Sequence, residues 1–267
     1  MKLITKILLV LIVLSCENPK EKNPLTTSET KEHITNNADE KTSNEQSDVV
    51  EIGEIAILLP MNYRDQEDGN QASVLTKNWL ALVQKNGKFY LEKARYTAER
   101  GYDGCTGDST INIGTMNKAI LLLENSGLKE GEVNSVKLTK TMIWPKEKWS
   151  FTFENQQYTL RAKGKVLSSE QVETDGGQEL FQRVEQYELF LSSDSKNETL
   201  VIEQERFNDT FIELLFVGDL DRDGKPDILL RANKDYEEER VILYLSSKAK
   251  GTQLLKKASE IAVQFDC

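Results

Sequence analysis

Hydrophobic and polar positions alternate through long stretches of this chain. Trp149, Phe151 and Phe153 alternate with Ser150 and Thr152, a polar turn Glu154-Asn155-Gln156-Gln157 follows, and Tyr158, Leu160 and Ala162 resume the pattern. A period of two puts one set of side chains on one face of a pleated strand, so the pattern predicts a hairpin with an aromatic face. Lys85-Asn86-Gly87-Lys88 sets Asn-Gly between the apolar runs 80–83 and 89–91. That dipeptide supplies the two positive-φ positions of a tight hairpin turn. Segments 187–191 and 200–203 flank the turn-rich 192–197, and 211–217, 228–230, 241–245 and 261–265 read as further strands. Residues 119–123 are apolar throughout, which suits a buried strand or a short helix equally. No segment carries a long amphipathic helical period. The expected fold is mainly β, a hairpin-rich sandwich or open sheets in one domain.

The pattern stops abruptly upstream. In residues 17–48 only Leu25, Ile34 and Ala38 are apolar, while the 3 Trp, 8 Tyr and 9 Phe all follow, from Tyr63 to Phe265. Such a segment buries too little surface to offset its ordering entropy, so a disordered tether is expected over 16–48 and a folded domain over 49–267. A flexible tether of this length has an r.m.s. span of about 30 Å.

The chain begins with two lysines, Lys2 and Lys6, around the unbroken apolar run 7–14, then Ser15-Cys16. A run that short cannot cross a bilayer as a helix, which takes about 20 residues, but it has the form of a secretory signal. A small residue followed at once by cysteine resembles the lipobox of bacterial lipoproteins, with Val13 where Leu is usual. The resemblance implies a signal peptide over 1–15, diacylglycerol on the Cys16 sulfur, and a palmitate-type acyl chain on the new amine. It also implies attachment to the outer membrane, on either its periplasmic or its surface face. Buried acyl chains at about 0.8 kcal/mol per CH₂ anchor stably without a transmembrane helix.

Charge and histidine usage narrow the chemistry. The net charge of −10 arises from 34 basic and 44 acidic residues, and mean hydropathy is −0.51. Loss of Lys2 and Lys6 with the signal would take the net charge to −12. Nucleic acid is a poor partner for this balance, because phosphate contacts need clustered cations. The 1 histidine, His33, lies in the tether. Ser-His-Asp triads, Cys-His dyads and His-ligated metal sites are thereby excluded, and carboxylate-only catalysis stays open.

The sharpest motif is Gly218-Asp219-Leu220-Asp221-Arg222-Asp223-Gly224-Lys225-Pro226-Asp227. Asp219, Asp221, Asp223 and Asp227 occupy loop positions 1, 3, 5 and 9, Gly224 permits a sharp turn, and Lys225 at position 7 offers its backbone carbonyl. Alternate carboxylates on a tight loop converge on one point, which suits the hard, oxygen-seeking Ca²⁺ ion. Position 12 is Leu230 rather than Glu, and the flanks read as strands, so this is not an EF-hand. The loop resembles the calcium loops of FG-GAP/VCBS-type repeats, with Arg222 where Gly is commoner. One copy in some 218 residues rules out a propeller built from such repeats. The domain is also similar to uncharacterised bacterial lipoproteins of the Bacteroidota that carry one such loop. In them a Leu-Ser-Ser strand end, here Leu245-Ser246-Ser247, and a terminal cysteine, here Cys267, follow. No catalytic residue carries over from that group.

Export makes a Cys105–Cys267 disulfide an expectation. Segment 101–108 then reads as a pinned turn with Asp103 or Asp108 in reach of a ligand, and 235–240 as a solvated charge run. Two functional expectations follow: a non-enzymatic envelope binding module for a protein or glycan partner, or an extracytoplasmic hydrolase using two carboxylates. A deep cleft with two acids 5–10 Å apart and perturbed pKa values would favour the second.

Overall fold

The computed structural model describes residues 55–124, 127–174, 177–194 and 197–265. The chain divides between Asp48 and Val49 into two units, and every described residue belongs to the second. Cys16, His33, the signal segment, the tether and Cys267 all lie outside the described residues.

The described chain is built of strands. They run β1 (Ile57–Leu58), β2 (Asn62–Arg64), β3 (Trp79–Lys85), β4 (Lys88–Lys93), β5 (Tyr96–Tyr102), β6 (Ser109–Thr115), β7 (Leu121–Glu124) and β8 (Gly131–Val133). Then come β9 (Lys148–Phe153), β10 (Gln156–Thr174), β11 (Gly177–Ser193), β12 (Asn197–Arg206), β13 (Glu213–Gly218), β14 (Asp227–Arg231), β15 (Glu238–Leu245) and β16 (Lys256–Gln264). One short 3-10 turn, Gln71–Val74, is capped by Asn70, whose side chain accepts from the Ala72 N–H.

These strands form four antiparallel sheets, ordered β1-β7-β3-β4-β8, β2-β6-β5, β12-β11-β10-β9 and β13-β14-β15-β16. The mainly β expectation holds. Residues 121–124 settle as strand β7, paired with β1 and β3. Both predicted hairpins form on two-residue turns. Asn86 and Gly87 have φ of 52° and 78°, and Glu154 and Asn155 have 45° and 65°. The second turn is tighter than the four polar residues suggested, because Gln156 already pairs with Phe153. The charge run is corrected too: 238–240 opens β15, with Glu238 buried and accepting the Lys234 N–H.

The sheet β13-β14-β15-β16 is central, because both of its faces are buried. Leu229, Val241, Leu243 and Leu245 enter a core shared with the first two sheets. Ile228, Leu230, Ile242 and Tyr244 enter a second core shared with β9–β12. Neighbouring residues of one strand thus serve opposite cores, so these strands read as continuous apolar runs rather than alternating ones. By contrast β9, covered on one face, alternates strictly between exposed and buried.

The hairpin β10–β11 outgrows its sheet. β9 pairs only with 156–161 and β12 only with 185–193, yet β10 and β11 stay paired from Tyr158↔Ser193 to Thr174↔Gly177. Outward of the Lys165↔Glu185 pair the ribbon is two-stranded and carries exposed Val166, Leu167 and Leu180.

Candidate metal centre

The acidic loop joins β13 to β14, and three features of the chain hold it there. Gly218 ends β13 against segment 134–135, where a Cβ would lie 2.4 Å from the Asn134 carbonyl oxygen. The Asp219 N–H donates to that same oxygen at 2.8 Å. Gly224 takes φ 84° and Arg222 takes φ 65°, both in the left-handed region. Glycine is cheapest there, which explains why it is common at the Arg222 position of similar loops. Arg222 offsets its backbone cost by donating from one guanidinium nitrogen to the Glu130 carbonyl at 2.8 Å and the Lys129 carbonyl at 3.4 Å.

Within the loop the carboxylates organise the backbone. Asp219 accepts the Asp223 and Gly224 N–H groups at 2.9 and 3.0 Å. Asp227 accepts the Leu220 N–H at 2.7 Å. Asp223 accepts the Lys225 N–H at 2.9 Å.

The strand end 245–247 closes the other side. The Ser246 N–H and hydroxyl donate to Asp227 at 2.8 and 3.0 Å, and the same hydroxyl lies 3.0 Å from both Asp223 oxygens. The Ser247 hydroxyl donates to Asp221. The Leu-Ser-Ser ending is therefore a structural partner of the loop, a role the motif alone did not reveal.

Asp219, Asp221 and Asp227 form a cluster that could hold a metal ion, each offering an oxygen within 4.8 Å of the others. Ligands around one Ca²⁺ at 2.3–2.6 Å lie at most about 5 Å apart, so the spacing fits a single ion. Asp227 is fully buried and Asp219 nearly so, while Asp223 is exposed and turned toward Ser246. Burial pushes the Asp227 carboxyl well above its ordinary value, with the Asp221 charge adding to it against the Ser246 and Leu220 N–H groups. Burial also raises Asp221, opposed by Ser247 and reinforced by Asp223 and Asp219. Asp221 Oδ1 is buried without a hydrogen-bond partner. Three converging carboxylates, one with an orphaned oxygen, are the donor set a hard cation completes.

No family model, curated protein or solved structure matches the chain.

The remaining sequence candidates are placed as follows. Asp103 caps the 103–108 turn by accepting the Cys105 and Thr106 N–H groups at 2.8 and 3.1 Å, and it pairs with Arg64 at 2.8 Å. Arg64 and those N–H groups hold its carboxyl below the usual range. That makes Asp103 a turn-former rather than a ligand group. Cys105 is disulfide-bonded. Both other cysteines lie outside the described residues, so its pairing with Cys267 is carried forward as part of the proposal below.

Proposed function

We propose that this chain is a lipid-anchored envelope protein whose β domain is stiffened by Ca²⁺ and serves as a non-enzymatic binding module. The observation that carries the calcium reading is the cage of Asp219, Asp221 and Asp227 with its unpartnered Asp221 oxygen. The cluster joins segments distant in sequence: the loop, the Ser246–Ser247 strand end and, through Arg222, residues 129–130. A divalent ion there would neutralise carboxylates that burial penalises and would tie the central sheet to its neighbour. Lipidation at Cys16, the outer-membrane location and the Cys105–Cys267 bond belong to the same proposal, on sequence grounds.

The hydrolase reading is less well supported. Two acids that line one cavity at the strand ends, Glu213 and Glu239, are both tied to one guanidinium, Arg231, at 2.6 and 2.7 Å. Neither is poised to trade protons with a substrate.

Titration calorimetry of the whole protein with Ca²⁺ and Mg²⁺ tests the calcium claim. One Ca²⁺ site is expected, lost in Asp221→Ala, with Mg²⁺ much weaker because the smaller ion needs strict octahedral geometry. Absence of a calcium heat in the wild type would remove the claim.

A further inference from the structure

Strand β8 is held from two sides by unequal means. On one side it pairs with β4 through three residues, Gly131↔Leu91, Glu132↔Tyr90 and Val133↔Phe89. It is the last strand of its sheet, so its other side meets no further strand of that sheet. There the acidic loop and the strand leading into it take hold. Arg222 donates to the Lys129 and Glu130 carbonyls, and Gly131 leaves room for its guanidinium, which a Cβ would approach to 3.0 Å. The Asp219 N–H donates to the Asn134 carbonyl, Ser135 bridges to Gly218, and the Val136 N–H donates to the Val217 carbonyl, the two bonds at 2.8 Å each. Of residues 129–137 only Val133 is buried. A segment with so little apolar burial opens locally at low free energy, and its hydrogen bonds decide how low.

Two of those holds come from the metal loop itself. Asp219 gives its backbone N–H to Asn134, while its carboxylate is one of the three that converge within 4.8 Å. Arg222 sits between Asp221 and Asp223, so its backbone moves with the cluster. Without a cation the converging carboxylates repel one another at a site where Asp227 is fully buried, and the loop relieves this by spreading them. Spreading displaces the Asp219 N–H and the Arg222 guanidinium together. The neighbouring strands have support of their own. β13 and β14 pair through five residues between two cores, and β4 pairs with β3 through six. The part of this sheet with least else to hold it is therefore the part the loop grips.

We propose that the ion in this loop controls a local opening of β8. With the ion bound, residues 129–136 stay clamped on β4; on its loss that segment detaches as a unit while both cores stay packed. Detachment bares the backbone groups of β4 that β8 covers, an unpaired sheet edge. The inference rests on the calcium reading above and adds what the ion regulates.

Hydrogen exchange read by mass spectrometry tests this on the whole protein, in excess Ca²⁺ and in chelator. The comparison is made at times when peptides of 158–162 and 189–191, in β10 and β11, are still unexchanged in both conditions, so that global unfolding contributes nothing. In that window residues 129–136 should exchange at least about tenfold faster in chelator, as loss of an ion held well above its dissociation constant allows. Arg222→Gly suits the left-handed backbone but lacks the guanidinium. It should exchange fast at 129–133 even in excess calcium, with a calcium heat still recorded by titration calorimetry on the same preparation. Equal exchange at 129–136 in calcium and chelator, with that heat present in the wild type, would overturn the coupling and leave the calcium reading standing. An equal change in the central strands β3 and β7, or wild-type exchange in Arg222→Gly, would overturn it too. Absence of a calcium heat in the wild type would remove the calcium reading and the coupling with it.

Discussion

At the scale of single residues, the acidic loop is set by two backbone demands. Gly218 must admit the backbone of residues 134–135, and its missing Cβ would meet backbone atoms that cannot swing away. Gly218→Ala should therefore cost about 1–3 kcal/mol, read from urea unfolding midpoints, as overpacking does elsewhere. Arg222 holds a left-handed backbone and repays it through its carbonyl contacts. Arg222→Ala keeps the strain and loses the contacts, so about 1 kcal/mol of destabilisation is expected in the same assay. Four of the loop's acids were legible from their spacing, and three of them converge. The convergence itself depends on Ser246 and Ser247, some twenty residues on, where only the Leu-Ser-Ser ending gave a signal. Asp223 had the right spacing, but its carboxylate serves Ser246 and the Lys225 N–H.

At the scale of elements, strands covered on one face were legible and the others only partly. The aromatic hairpin β9–β10 declared its register through alternation and tight turn chemistry. β14 and β15 show apolar runs because each face meets a different core. Leu229→Ser and Leu230→Ser, on opposite faces of β14, should therefore both destabilise strongly, by about 2–5 kcal/mol each, as truncation and a buried hydroxyl combine. Leu167→Ser, on the exposed ribbon, should leave stability within about 0.5 kcal/mol. Comparable losses at all three positions would contradict this layering. β5 and β6 went unread because β5 is polar and exposed along nearly its whole length, so no apolar period marked it. The far half of the β10–β11 ribbon escaped for the same reason.

At the scale of the whole molecule, two cores share one sheet. Neither can lose its packing without exposing the face of β14 and β15 that serves the other, so unfolding should be one transition, with calorimetric and van't Hoff enthalpies equal. The central sheet also carries an acid-sensitive clasp. Burial pushes the Glu260 carboxyl up, but hydrogen bonds from Arg240 at β15 and from Lys257 outweigh it and hold it below the usual range. A depressed folded pKa contributes stability above the unfolded value that is lost as pH falls through the folded one. Between about pH 6 and about pH 3 the wild type should lose more stability than Glu260→Gln, measured by urea unfolding at each pH. Calcium acts at the same scale, because its loop ties the central sheet to the segment before β8. The most direct measurement is the thermal melting of the whole protein in excess Ca²⁺ and in chelator. An ion at about 100 times its dissociation constant should raise the melting temperature by about 5–10 °C for a domain of this size, and Asp219→Ala combined with Asp221→Ala should erase that difference. Superimposable wild-type curves with and without calcium would contradict the account.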